Sequence, residues 1–169
     1  DVRIPAGAVL GEVDHGLEVA QNFLHENRIR QAASSLGAAQ YCIDRSVDYA
    51  RQRVTFGKPL AVNQAVQWPL VELQTEAQMG RLLARYAASE LDRNHHLEVS
   101  DNVSMANYRA NRLVCEAADR AMQIHGGIGY SRHEPFEHIY RHHRRYRITE
   151  GAEEIQMRRV AQRMFKFGS

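Results

Sequence analysis

Three stretches of the chain repeat apolar or small residues in steps that alternate between four and three. The first runs Ile29, Ala33, Leu36, Ile43, Val47, Ala50 and Val54, with Gln40 in its one polar slot. The second is Val66, Leu70, Leu73, Ala77, Gly80, Ala84, Ala87 and Leu91. Val103, Ala106, Ala110, Leu113, Ala117, Ala121 and Ile124 make the third. This spacing belongs to helices that bury one stripe; a half-buried strand would alternate at every second residue. It predicts a helix from Gly16 to about Thr55, ended by Gly57 and Pro59. A second should open near Asn63, a suitable N-cap, with Pro69 placed to kink its early turns. A third should start at Ser100 or Asp101, after the polar connection Asn94–Val99, and stop at Gly126-Gly127. Long stripes joined by short connections make antiparallel neighbours crossing at roughly 20°.

The ends are less regular. Residues 1–15 hold Val2, Ile4, Val9, Leu10 and Val13, broken by Pro5, Gly7 and Gly11, and read as a strand end and a loop leading in from another domain. Gly126 to Arg132 reads as a glycine-rich turn, and Pro135 suits the first turn of a short helix to about Arg144. Ala152 to Lys166 should form a last helix, with Ile155, Val160 and Met164 among its apolar positions and Gly168 at its end. That supplies a fourth wall. The expected fold is therefore all-α, an up-down four-helix bundle over residues 16–169. Its first helix would span ~58 Å at 1.5 Å per residue, so it should have more to pack against than these residues supply.

A chain of 169 residues with a net charge of +2 is one domain with a real core, and the charge is too mild to call for nucleic acid. Cys42 and Cys115 sit within helical patterns without CxxC spacing, which reads as reduced, buried thiols in an intracellular compartment. No apolar run approaches the ~20 residues of a membrane span. The start at Asp1 suggests a fragment or a processed chain.

Four stretches carry candidate chemistry. Arg53-Val-Thr-Phe-Gly-Lys-Pro-Leu60, followed by Gln64, is a helix end, a tight turn and a new helix start. Its amides, with Arg53 and Lys58, would suit a pyrophosphate, and Phe56 could lie along an adenine or ribose. From the residues alone, a helix corner plugged by Phe56 is the better reading. Gln123-Ile-His-Gly-Gly-Ile-Gly-Tyr130 offers either amides for a cofactor or a helix C-cap; it follows a helix, so it is not a dinucleotide fingerprint. His133, His138, His142 and His143 crowd one stretch, but His133-Glu134 to His138 is one residue too long for a zinc-protease helix. Di-iron bundles need two Glu-x-x-His pairs, and only Glu12 to His15 has that spacing, so no metal is expected. With Arg141, Arg144, Arg145 and Arg147 these histidines read as a solvated basic face, or as a contact for phosphate or another subunit. Finally, Glu150 stands directly before Gly151, whose lack of a side chain lets a bound molecule approach. A carboxylate on such a turn suits a general base. A helix-capping turn explains it as well.

In this order and spacing the stretches resemble the C-terminal helical domain of acyl-CoA dehydrogenases, over essentially the whole chain. The R-x-T-F-G-K-P-L…Q and Q-x-x-G-G-x-G-Y elements carry the resemblance, with Val2-Arg-Ile-Pro5, Pro135, Arg141 and Glu150-Gly151 in support. It implies an oxidoreductase of fatty acid metabolism with FAD as cofactor and an acyl-CoA thioester as substrate. Arg53, Thr55, Phe56 and Gln64 match residues that contact the adenine dinucleotide part of a flavin held by a neighbouring subunit of a homodimer or homotetramer. Gln123, Gly126 and Gly127 match a second set of contacts to that flavin. Arg28 matches an arginine near the CoA moiety, Gly151 lies beside the substrate, and Glu150 matches the base that removes the α-proton. The resemblance further implies an electron-transfer flavoprotein as acceptor, and a cytoplasmic location in bacteria or the mitochondrial matrix in eukaryotes. An acyl-CoA oxidase of the same superfamily and a non-catalytic assembly bundle are the alternatives. Thr149, Ala152 and His142 depart from the family's usual tyrosine, threonine and aspartate. Some relatives carry the base one residue before the CoA arginine; Asn27 stands there, which favours Glu150 and leaves Glu26 a lesser candidate.

Overall fold

The structure is a computed structural model that describes residues 1–95 and 97–167. Six α-helices make up most of it: α1 (Gly16–Gln52), α2 (Gln64–Leu91), α3 (Ser100–His125), α4 (Gly127–Tyr130), α5 (Phe136–Arg144) and α6 (Glu153–Phe165). Between α1 and α2 a two-residue hairpin pairs β1 (Val54–Thr55) with β2 (Lys58–Pro59) in antiparallel register, Val54 opposite Pro59. The segment ahead of α1 is exposed and holds one 3-10 turn, Ala6–Ala8, with no strand among the described residues. Gly168, expected to stop the last helix, lies outside the described residues; Phe165 ends it, with Lys166 in the left-handed conformation.

The core is organised on α3, which packs against α1, α2, α5 and α6. The side-chain pairs fix the directions. Arg28 meets Asn107 and Tyr49 meets His125, so α1 and α3 run parallel. Arg109 pairs with Glu76 across to α2, while Arg112 bonds Glu153 and Asp101 faces Arg163, so α6 runs back along α3. The order is up, down, up, with α4 and α5 inserted before α6 descends.

Every stripe position named for α3 is buried, and those of α2 are buried or half-buried. Along α1 the stripe holds in part: Leu36, Ile43 and Ala50 are buried and Ile29 half-buried, Ala33 and Val47 are exposed, and Val54 falls beyond the helix. The buried face widens to take in Arg28, Ala32, Ser35, Ala39, Cys42 and Ser46. The polar members of that face are satisfied, Ser46 Oγ donating to the Cys42 carbonyl at 2.7 Å and Ser35 Oγ to Asn111 Oδ1 at 2.7 Å. On α6 the apolar positions are less buried than expected: Val160 is half-buried and Ile155 and Met164 are exposed, while Glu153 and Gln156 are buried. The α2 helix passes through Pro69 unbroken. The α3 N-cap is Val99, and Ser100 Oγ instead donates to the Leu97 carbonyl.

The glycine-rich turn contains a helix, α4, wedged under the end of α3. A Cβ on Gly129 would stand 2.7 Å from the Met122 carbonyl oxygen and 2.7 Å from His125 Cβ. Backbone cannot yield as a flexible side chain can. Gly129→Ala is therefore expected to destabilise the domain by about 1–3 kcal/mol, read as a lower melting temperature; an unchanged melt would show that α4 can shift away.

Candidate active site

Two separate places collect the residues that the sequence singles out. The first is the turn between α5 and α6. Glu150 has φ +59° and Gly151 φ +92°, so a non-glycine residue is held in the left-handed region, a strain typical of functional turns. Several bonds impose it. Arg28 on α1 donates through Nε (3.0 Å) and Nη2 (2.6 Å) to the Glu150 carbonyl. Gln156 Nε2 donates to the Gly151 carbonyl at 3.0 Å, and Gln31 Nε2 reaches Thr149 Oγ1 at 3.5 Å. Behind them runs a buried polar ladder: Gln156 Nε2 to Asn107 Oδ1 (2.8 Å), Asn107 Nδ2 to the Arg28 carbonyl (2.8 Å), and Asn111 Nδ2 to Asn107 Oδ1 (3.0 Å). Sequence reasoning missed Gln31, Asn107, Asn111 and Gln156. Their signal was polar residues at stripe spacing, which a hydrophobic count discards.

Past the turn, Glu153 is only 7% exposed and takes two bidentate arginines, Arg147 at 2.8 and 2.8 Å and Arg112 at 3.2 and 3.2 Å. The Arg147 hydrogen bonds pull its carboxyl down to about 2, and Arg147 is raised in return, first by the same bonds. The Glu150 carboxylate is different. It is half-buried, and among the described residues its one hydrogen bond is from Asn27 Nδ2 to Oε1 at 2.6 Å. Glu26 is exposed. Arg28, expected beside CoA, is 7% exposed and spends its Nε and Nη2 on the Glu150 turn; burial, then Arg159, lower its pKa.

The second place lies at the far end of the bundle. Arg53, Thr55, Gln123, Gly126 and Gly127 line one concavity of about 420 Å³, together with Tyr49, Arg120 and His125. Gly126 has φ +65°, and a Cβ on either glycine would meet nothing within 4 Å, so the backbone there is open to approach. The Arg53 guanidinium makes no hydrogen bond or ion pair among the described residues. Phe56 does not line this hollow and is no plug. It sits fully exposed at the hairpin tip with φ +50°, beside Gly57 at φ +77°, as a tight two-residue turn demands. Gln64, the first residue of α2, is exposed outside the hollow. About 36 Å of helix separates Arg28 from Gln52, so the hollow and Glu150 do not form one cavity. A larger apolar groove of about 670 Å³ between α1 and α2 includes neither Glu150 nor the glycine pair.

Residues 14–165 match the profile of the family described as acyl-CoA dehydrogenase, C-terminal domain. The chain belongs to this family. This acyl-CoA dehydrogenase domain is 37% identical over 166 residues to the mitochondrial short-chain specific acyl-CoA dehydrogenase of Bos taurus, a match covering 98% of the chain and 40% of that protein. It is 33% identical over 166 residues to the caffeyl-CoA reductase-Etf complex subunit CarC of Acetobacterium woodii, covering 98% of the chain and 43% of that protein. Among solved structures, that of glutaryl-coenzyme A dehydrogenase in complex with glutaryl-CoA superposes with a TM-score of 0.89 at 31% identity, covering 96% of this chain and 41% of that one. The acyl-CoA dehydrogenase domain thus spans about two fifths of the length of the relatives it matches. No helix among its described residues is long and apolar enough to cross a membrane.

Proposed function

We propose that the domain supplies the base and part of the flavin site of an acyl-CoA dehydrogenase that introduces a 2,3-double bond into an acyl-CoA thioester. The observation that carries this reading is the Glu150 turn: a strained, half-buried carboxylate whose backbone is fixed by Arg28 and Gln156. Oε1 receives the Asn27 amide, and Oε2 has no hydrogen bond among the described residues. That oxygen takes the α-proton. The electron pair of the broken α-C–H bond becomes the new double bond as the β-hydrogen departs with its own pair. FAD, when bound, accepts that hydride.

The hollow at the other end fits the dinucleotide part of such a cofactor. The Gly127 amide, the Arg53 guanidinium and the Thr55 and Gln123 side chains offer donors that a pyrophosphate and its sugars need, the Gly126 N–H being bonded to the Met122 and Gln123 carbonyls. Phe56 offers an exposed ring face. Because the two sites stand at opposite ends of the bundle, Glu150 serves one flavin while the hollow holds another, so the enzyme works as a homo-oligomer. The base on Glu150 favours catalysis over a purely structural bundle. Reductases among the relatives favour a second reading, the same chemistry run in reverse, with Glu150 returning a proton to the α-carbon. Reduced flavin would pass its electrons to an electron-transfer flavoprotein, or to oxygen in an oxidase.

Anaerobic mixing of the full-length protein with acyl-CoA thioesters of graded chain length tests this. The flavin absorbance should bleach with at least one saturated thioester. A protein that carries flavin yet bleaches with none, and whose flavin, once reduced with dithionite, is reoxidised by 2-enoyl thioesters, would be the reductase; one that purifies without flavin would sink the reading.

A further inference from the structure

Asn27 has two bonds on one amide group, and they run in sequence. Its Nδ2 donates to Glu150 Oε1 at 2.6 Å, while its Oδ1 accepts from Arg30 Nη2 at 2.9 Å. Arg30 has no acceptor atom to offer, so it can face only the carbonyl end of the amide. The amide can then turn only its N–H₂ end to the carboxylate. Without Arg30, the amide could flip and set its oxygen against Glu150, a repulsive contact. Asn27 and Arg30 stand one turn apart on α1, and neither belongs to the buried ladder behind the turn.

We infer that Asn27 is a positioning residue for the proposed base: oriented by Arg30, it pins Oε1 of Glu150 and thereby leaves Oε2 as the oxygen that meets the substrate's α-hydrogen. The two arginines divide the work. Arg28 fixes the backbone of the turn through the Glu150 carbonyl, and Arg30, through Asn27, fixes the torsion of its side chain. A carboxylate rotated off its line of approach lowers kcat more than it raises KM, since the proton transfer and not the binding depends on its torsion. The inference rests on the reading of Glu150 as the base.

The test compares Asn27→Ala, Arg30→Ala, Arg30→Lys and Glu150→Gln in the full-length flavoprotein. Asn27→Ala should lower kcat about 10–100-fold with KM for the thioester changed less than about threefold. The kinetic isotope effect with an α-deuterated thioester should rise. Arg30→Ala, at an exposed residue whose loss leaves the core intact, should show a smaller loss of the same kind. Added to Asn27→Ala it should do nothing more, since it acts only through the amide. Arg30→Lys, which keeps a donor, should recover most of the rate. If Asn27→Ala and Arg30→Ala both stay within twofold of the parent while Glu150→Gln is dead, the positioning role is wrong and the base stands. Additive losses would also overturn it. An active Glu150→Gln would remove the base itself.

Discussion

Glu150→Gln in the full-length enzyme lowers the rate of flavin reduction by an acyl-CoA thioester about 10²–10⁴-fold, the range for removing a positioned general base. The substitution is close to isosteric and leaves the turn alone. Both Arg28 bonds go to the Glu150 backbone carbonyl, and the amide oxygen of a glutamine can still accept from Asn27. What disappears is the second oxygen's capacity to take a proton. Thioester binding and flavin content should therefore be unchanged. Stopped-flow bleaching under argon, with α-proton washout into deuterium oxide as a second readout, measures it. Reduction at the parent's rate would assign the base to another group.

The largest expected loss of stability comes from Glu153. Replacing it with Gln removes the charge that Arg147 and Arg112 pair with, and the glutamine's N–H₂ end cannot accept, so two of the four arginine hydrogen bonds go. Removing one partner of a buried pair costs about 3–5 kcal/mol, and each kcal/mol is worth about 2–4 °C at this size. A fall in melting temperature of roughly 10 °C follows. The pH dependence has a definite sign. The folded carboxyl sits at about 2 and its ordinary value is 4.5, so its contribution is complete above 4.5 and is lost as pH falls from there toward about 2. In that window the parent should lose stability more steeply than Glu153→Gln. Parallel curves would show that the arginines find other partners.

The sequence was most legible where burial is apolar. The α2 and α3 stripes are buried or half-buried along their length, because Leu, Val, Ile and Ala, with Gly80, occupy them. On α1 the same rule found the buried Leu36, Ile43 and Ala50 but also took in the exposed Ala33 and Val47. The buried positions there include Arg28, Gln31, Ser35 and Ser46, whose hydrogen bonds reach residues far along the chain, Ser35 to Asn111 among them. A periodicity count cannot see such partners. At the candidate site, Glu150, Gly151 and the Gly126-Gly127 pair were legible because short motifs carry them. Asn27 entered only as an absence of glutamate, though it bonds the very carboxylate in question. The hairpin was missed because Phe56 at φ +50° is a conformation that propensity assigns to glycine.

Ala106, Ala110, Ala117, Ala118 and Ala121 give α3 a smooth flank, on which a neighbouring helix could rest at several heights. Asn107 and Asn111 remove that freedom. Their amides meet Arg28, Gln31 and Ser35 of α1 and Gln156 of α6 at one setting only. A slide by one turn, ~5.4 Å, would leave several donors in the dark without acceptors. The asparagines act as detents in an otherwise greased shaft. They index the depth at which α6 seats, and with it the height at which the carboxylate of Glu150 is presented.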